Sequence, residues 1–154
     1  MLKVAETAVV FSEIPGETTL ALSLSNCPCR CPGCHSKYLW SDVGEELTET
    51  LLDEMIARNR DEITCLCLLG GDGDTESVRA LAGYLRKEYP ALRVGWYSGR
   101  SVLPKGFDKS VFDYIKLGPY LAHLGPLTAP TTNQRLYRIS GSRMEDITPL
   151  FWTK

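Results

Sequence analysis

The sequence predicts an α/β fold, built as a partial, truncated (β/α) barrel with a mostly parallel sheet. Apolar, strand-like runs alternate with amphipathic helical segments along the chain. Strand–helix–strand units of this kind place parallel strands side by side through right-handed crossovers. A complete eightfold barrel needs about 250 residues. This chain of 154 residues is therefore expected to form one truncated domain, residues 1–154.

The first half of the chain contains the first three predicted elements. Residues 17–25, ETTLALSLS, alternate apolar and polar side chains and predict a strand. Thr48 is a candidate N-cap for a helix that ends near Asn59. Residues 63–69, ITCLCLL, form the continuous apolar run that is typical of a buried parallel strand.

The second half continues the alternation. Asp74 is expected to cap a helix that ends near Tyr89, because apolar residues recur there at helical spacing. Residues 92–98 and 112–117 predict two further strands. The last 35 residues contain several prolines, and we expect them to be irregular.

Composition excludes several classes of protein. The net charge of −2 shows no basic excess, so a nucleic-acid partner is not expected. No apolar run approaches the roughly 18 residues of a membrane helix, and a membrane partner is not expected either. The N-terminal segment lacks the apolar core of a signal peptide, so the sequence predicts a cytoplasmic protein.

The segment NCPCRCPGCHSKYLW, residues 26–40, carries four cysteines within eight positions: Cys27, Cys29, Cys31 and Cys34. In a reducing compartment, clustered cysteines more often bind a metal or act in catalysis than form disulfides. Disulfides between such close neighbours would also strain the bridge geometry. Cys65 and Cys67, by contrast, lie within an apolar strand and are expected to be buried core residues.

Two metal sites fit the cysteine segment. A structural zinc site usually pairs two C-x₂-C knuckles, and only Cys31 and Cys34 form one here. A zinc site built from Cys27 or Cys29 with Cys31, Cys34 and His35 nevertheless remains open. The alternative is an iron–sulfur cluster, since C-x₃-C-x₂-C supplies three thiolates and leaves one iron of a four-iron cluster open for a substrate.

Three polar or flexible stretches follow predicted strands. They are the cysteine segment, Gly70-Gly71-Asp72 and Ser98-Gly99. Functional groups of parallel sheets collect beyond the carboxyl ends of the strands, so these stretches are expected to meet at one rim. Glycines at this rim would let the backbone approach a ligand closely.

These motifs together resemble a known family. C-x₃-C-x₂-C after the first strand resembles the signature of radical SAM enzymes, and Gly70-Gly71-Asp72 resembles their GGE/GGD motif, which holds the amino group of S-adenosylmethionine. CPGCH, WYSGR (96–100) and TNQRLY (132–137) resemble the activating protein of the anaerobic (class III) ribonucleotide reductase. The resemblance extends from about residue 14 to residue 137.

The resemblance implies a single radical SAM activase domain with a radical SAM type of barrel. Its implied reaction is reductive cleavage of S-adenosylmethionine at a [4Fe-4S] cluster, which generates a glycyl radical on the large subunit of anaerobic ribonucleoside-triphosphate reductase. A low-potential flavodoxin or ferredoxin is the implied electron donor. The alternatives are a radical SAM enzyme that acts on another glycyl-radical enzyme or on a small molecule, and a zinc-stabilised α/β interaction domain.

The resemblance also implies site residues. Cys27, Cys31 and Cys34 would ligate the cluster, and Cys29 would be an additional thiol outside it. The residues expected to bind S-adenosylmethionine are Gly33, Cys34, His35, Gly70, Gly71, Asp72, Ser98 and Lys116. Among them, Asp72 would accept from the ammonium, Ser98 would bond a ribose hydroxyl and Lys116 would reach the carboxylate. Gly33 departs from the family, since many radical SAM enzymes carry an aromatic residue before the third cysteine.

Overall fold

The structure, a computed structural model, describes residues 2–27 and 37–152. Its strands are β1 (Lys3–Val10), β2 (Thr19–Leu24), β3 (Glu45–Glu46), β4 (Cys65–Leu69), β5 (Arg93–Tyr97), β6 (Tyr114–Leu117), β7 (Arg135–Ser140) and β8 (Arg143–Asp146). The α-helices are α1 (Glu49–Asn59) and α2 (Thr75–Glu88). Short 3₁₀ helices span Lys37–Trp40, Lys109–Val111 and Thr148–Phe151.

The strands form one open, mixed sheet in the order β3-β1-β2-β4-β5-β6-β7-β8. The central strands β2, β4, β5 and β6 are parallel neighbours. Their register aligns Leu22 with Leu68, Leu68 with Trp96, and Trp96 with Ile115. Because these strands run in the same direction, their carboxyl ends meet at one rim of the sheet, as expected from the sequence.

Antiparallel strands extend both edges of the central sheet. β1 pairs with β2 and β3 on one side, and β7 pairs with β6 and β8 on the other. Among the described strands, three pairings are parallel and four are antiparallel. The mostly parallel character predicted for the sheet therefore applies to its centre, and the hairpins at the edges make the whole sheet mixed.

Both helices begin at the predicted caps. The Thr48 side chain accepts a hydrogen bond of 3.1 Å from the backbone N–H of Leu51, and the Asp74 side chain accepts one of 3.2 Å from the N–H of Ser77. Each cap satisfies a backbone donor that has no partner within the helix. The helices connect parallel strands and pack on one face of the sheet.

The sheet has an apolar core on each face. The helix-covered face buries residues from the strands and both helices, among them Leu22, Leu68, Leu52 and Val78. The opposite face is covered by the β1–β2 connection, through Ile14, and by the C-terminal part of the chain. Gly95 makes this second contact possible, because a Cβ there would lie 2.9 Å from Ile14 Cδ1.

The C-terminal part of the chain differs from the prediction. It was expected to be irregular, yet it contains the hairpin β7–β8 and a 3₁₀ helix. The side chains of Leu136 and Ile139 are buried, and the hairpin turns at Gly141, whose φ is +63°. Short alternating segments around a glycine are a hairpin signal, which the prolines elsewhere in this region obscured. In the part of the chain that the structure describes, no helix combines the length and apolar character needed to cross a bilayer.

Candidate functional site

The cysteine segment starts at the carboxyl end of β2. Asn26 adopts a left-handed backbone conformation, with φ of 59°, and its N–H donates to the carbonyl of Ser41 over 3.2 Å. The N–H of Cys27 donates to the carbonyl of Leu39 over 2.9 Å. These bonds bring the two flanks of the segment together at the rim, and they fix the backbone of Cys27 there.

Cys27 is the predicted cluster ligand within the described residues, and its side chain is half-buried. The remaining predictions for this segment, Cys29, Cys31, Gly33, Cys34 and His35, lie outside the described residues, so their roles stay predictions. Within residues 2–27 and 37–152, no three His, Cys, Asp or Glu side chains gather in a way that would hold a metal ion.

Cys65 and Cys67 are buried in β4, as predicted. Both side chains have no solvent exposure. Burial raises the pKa of each thiol, and the negative charge of Glu17 raises the pKa of Cys65 further. Because both side chains pack within the apolar core on one face of the sheet, Cys65 and Cys67 act as core residues.

The loop after β4 depends on its two glycines. Gly70 and Gly71 have φ of +105° and +85°, a conformation that glycine adopts without steric cost. The Gly70 N–H donates to the carbonyl of Tyr97 over 2.9 Å, and its carbonyl accepts from Trp96 Nε1 over 2.6 Å. A Cβ on Gly71 would lie 2.6 Å from Val78 Cγ2 of α2. The loop therefore packs closely between β5 and α2.

Asp72 is held at the end of this loop by the neighbouring strand. Its carboxylate accepts hydrogen bonds from the Ser98 hydroxyl, at 2.5 Å, and from the Gly99 N–H, at 2.9 Å. The Ser98 oxygen in turn accepts from the N–H of Arg100 over 3.1 Å. Ser98, which the sequence predicted as a ribose contact, thus directs its hydroxyl proton to Asp72. This connection between two predicted site residues was not apparent from the sequence.

Lys116 lies in β6, with 7% of its surface exposed. Its ammonium donates to the carbonyl of Gly118 over 3.0 Å and lies 5.5 Å from the centre of the Tyr97 ring. The Tyr97 hydroxyl donates to the backbone carbonyl of Glu13, and burial raises the pKa of Tyr97 well above its ordinary value. Tyr97 therefore keeps its proton, and the ammonium is attracted by the electron-rich face of its ring.

A pocket of about 210 Å³ joins these groups at the rim. The predicted residues that line it are Cys27, Gly70, Asp72 and Lys116. Ser98 lies behind Asp72, and Gly71 lines a neighbouring cavity of about 400 Å³. Further lining residues, which the sequence did not identify as site residues, are Ser23, Leu24, Leu39, Trp40, Leu69, Tyr97 and Gly99. Most of them lie at or just beyond strand ends, which was the available signal, whereas Leu39 and Trp40 belong to the 3₁₀ helix Lys37–Trp40.

The groups in the pocket suit a cluster and an amino-acid ligand. Cys27 supplies a thiol at the open rim, and thiolates are the ligands that iron–sulfur clusters prefer. Across the same pocket, Asp72 can accept hydrogen bonds from an ammonium group and Lys116 can attract a carboxylate. These residues can therefore supply one thiolate ligand to an iron–sulfur cluster, and they can bind the two charged groups of an amino acid beside it.

Comparison with known proteins identifies the family. The family model described as a 4Fe-4S single cluster domain matches residues 15–105. This range covers more than half of the chain and contains the cysteine segment, the Gly70-Gly71-Asp72 loop and Ser98. No curated protein and no solved structure gives a significant match. The chain belongs to the 4Fe-4S single cluster domain family and is an iron–sulfur protein.

Proposed function

We propose that the protein is a radical SAM activase, which generates a glycyl radical on the large subunit of anaerobic ribonucleoside-triphosphate reductase. The observation that carries this proposal is the pocket that brings Cys27, Asp72 and Lys116 together at the carboxyl ends of parallel strands. Membership of the 4Fe-4S single cluster family supports the cluster that such an activase needs. The open sheet is then the wall of a truncated barrel of the radical SAM type.

The cluster would be held by Cys27, Cys31 and Cys34. When bound, it supplies the electron that cleaves S-adenosylmethionine into methionine and a 5′-deoxyadenosyl radical. Cys27 suits this role because its thiol lines the pocket while its backbone is anchored to Leu39. Anchoring of the ligand's backbone limits how far its sulfur can move, which favours a defined cluster position.

The methionine part of S-adenosylmethionine would lie between Asp72 and Lys116. Asp72 would accept from its ammonium group, while Ser98 and Gly99 keep the carboxylate oriented. Lys116 would attract its carboxylate from the β6 side. Gly33, Cys34, His35, Gly70 and Gly71 would complete the binding site through backbone and close contacts, as the motifs imply. Burial of Asp72 and Lys116 strengthens these charge interactions, because little water screens them.

A protein substrate suits the exposed rim. Val102 lies in the loop that follows Ser98 and Gly99, and its side chain is 73% exposed. This loop begins at Gly99, which lines the pocket, and an exposed apolar side chain on it would be a suitable contact for the reductase subunit, whose glycine must reach the radical. A low-potential flavodoxin or ferredoxin would supply the electron.

The activase proposal is tested by electron paramagnetic resonance. The anaerobically reconstituted protein is mixed with S-adenosylmethionine, reductant and the purified large subunit of an anaerobic ribonucleotide reductase. A glycyl radical doublet in that subunit supports the proposal, and Lys116→Met should abolish or strongly reduce it. A doublet that arises only in a different glycyl-radical enzyme would reassign the partner. Zinc without iron after anaerobic purification would favour a zinc-stabilised interaction domain.

A further inference from the structure

We propose that Gln134 is a positioning residue that fixes the Lys116 ammonium through the carbonyl of Gly118, and so sets the preference of the pocket for a ligand with a carboxylate. This inference rests on the proposed function, because the ligand whose carboxylate is recognised is S-adenosylmethionine. It assigns a role to Gln134 in the segment TNQRLY (132–137).

A side chain from β6 and one from the residue before β7 meet at one backbone oxygen. The Gly118 carbonyl accepts from Lys116 Nζ at 3.0 Å and from Gln134 Nε2 at 3.3 Å. Lys116 and Gln134 are each 7% exposed. A carbonyl oxygen has two lone pairs, so it can accept both bonds at once. The amide and the ammonium are therefore linked through a shared, buried acceptor.

The turn that carries this carbonyl is fixed from several directions. Gly118 has φ of +114°, and a Cβ there would lie 3.1 Å from the Cα of Gln134. Its N–H donates to the carbonyl of Arg100 over 2.7 Å. Asn133 Nδ2 donates to the carbonyl of Pro119 over 3.1 Å. Asn133 and Gln134 thus bind two successive carbonyls, and the peptide plane between Gly118 and Pro119 cannot rotate freely.

The position of the carbonyl decides where the ammonium lies. Because the lysine side chain is long and flexible, the position of its ammonium depends on the acceptor to which it donates. At Gly118 that acceptor holds the ammonium 5.5 Å from the Tyr97 ring centre, on the wall of the pocket. Neither the Gly118 carbonyl nor the Tyr97 ring carries a negative charge, so these two contacts position the ammonium without cancelling its charge. Loss of the Gln134 amide should let the carbonyl turn and misplace the ammonium.

The test compares two ligands of the cluster-loaded protein by calorimetry under anaerobic conditions. One is S-adenosylmethionine, and the other is its decarboxylated analogue, which keeps the sulfonium and amine. We expect the wild type to prefer S-adenosylmethionine by about tenfold or more, as for a charge-assisted hydrogen bond. Lys116→Met should remove this preference. Gln134→Met, which keeps the side-chain length but cannot donate, should reduce it by about threefold or more.

The control is Arg138→Gln in β7, the strand that follows Gln134; the Arg138 side chain contacts Glu145 at the surface. It should leave the preference unchanged. Gln134→Met with an unchanged preference, or with equal weakening of both ligands, would overturn the inference, because a purely structural role would not distinguish them. Gln134→Glu also lacks the amide donor and serves as a second variant, in which the preference should likewise fall. If both variants unfold, Gln134 is a structural residue and the inference is wrong. A wild type that binds neither ligand contradicts the proposed function itself.

Discussion

The Ser98 hydroxyl donates a 2.5 Å hydrogen bond to the Asp72 carboxylate, and this bond joins the carboxyl end of β5 to the loop after β4. Ser98 is 1% exposed and Asp72 is 7% exposed, so water competes little for the contact. Together with the N–H of Gly99, the hydroxyl fixes the carboxylate at the wall of the pocket. The proposed ammonium-binding group is thus oriented before any ligand arrives.

Removing this hydroxyl should weaken both folding and ligand binding. Ser98→Ala leaves a buried carboxylate with one donor fewer, and we expect it to lower the free energy of unfolding by about 1–3 kcal/mol. It should also weaken S-adenosylmethionine binding, because one of the hydrogen bonds that orient the Asp72 carboxylate is lost. Urea denaturation and calorimetry measure the two effects. Ser101→Ala, at an exposed serine of the same loop, is the control and should change neither.

A matched pair of glycine substitutions tests the loop after β4. Gly71→Ala places a Cβ 2.6 Å from Val78 Cγ2 and requires a left-handed conformation from alanine, so we expect a destabilisation of about 1–3 kcal/mol. Gly83→Ala in α2 meets no atom within 4 Å and should stabilise the protein by about 0.5–1 kcal/mol. Thermal and urea unfolding give both values. Equal effects would show that the loop is not packed as described.

The cluster ligands can be distinguished by iron content. Cys27→Ala should reduce the iron retained after anaerobic reconstitution from about four per chain to nearly none, because three thiolates are required. Cys29→Ala should retain the cluster and its absorption near that of the wild type. The opposite result would mean that Cys29 is the first ligand and that Cys27 is the additional thiol.

The two helices are joined by a pair of tyrosines on one carboxylate. Tyr84 donates to Asp53 over 2.8 Å and Tyr89 donates to it over 2.7 Å. The bond to Asp53 raises the pKa of Tyr84 from 10.0 to about 12, and it also raises the pKa of Tyr89. The folded state then keeps protons that the unfolded state releases at alkaline pH.

The free energy of unfolding should therefore decline as the pH rises from about 10 to about 12. The contribution of the tyrosines is complete below the pKa of about 10 that they have in the unfolded chain, and it is lost as the pH approaches about 12. Tyr84→Phe should show a shallower decline between these values in urea denaturation. A decline equal to that of the wild type would show that the Tyr84–Asp53 bond does not contribute to it.

Much of the central sheet could be predicted from local patterns. The strands β2, β4, β5 and β6 and both helix caps lie within two residues of their predicted positions. Each buried strand is a run of apolar residues, and Thr48 and Asp74 are typical capping residues. The convergence of Cys27, Asp72 and Lys116 at one rim also followed, because strand direction alone brings these ends together.

The edges of the sheet and the contacts within the site could not be predicted in the same way. β7 is partly exposed, and its place in the sheet depends on pairing with β6 rather than on its own composition. The Ser98–Asp72 bond joins residues 26 positions apart. The Gln134 amide reaches Gly118 only because the antiparallel register sets Leu117 opposite Arg135. Such contacts depend on tertiary packing.

The measurement that tests the account most directly is the yield of 5′-deoxyadenosine. Protein reconstituted anaerobically with iron and sulfide is incubated with S-adenosylmethionine and dithionite, and the product is quantified by chromatography. We expect 5′-deoxyadenosine and methionine in equal amounts, with loss of both in Cys27→Ala. Protein that holds a complete cluster and binds S-adenosylmethionine, yet never cleaves it under strong reductant, would contradict the account.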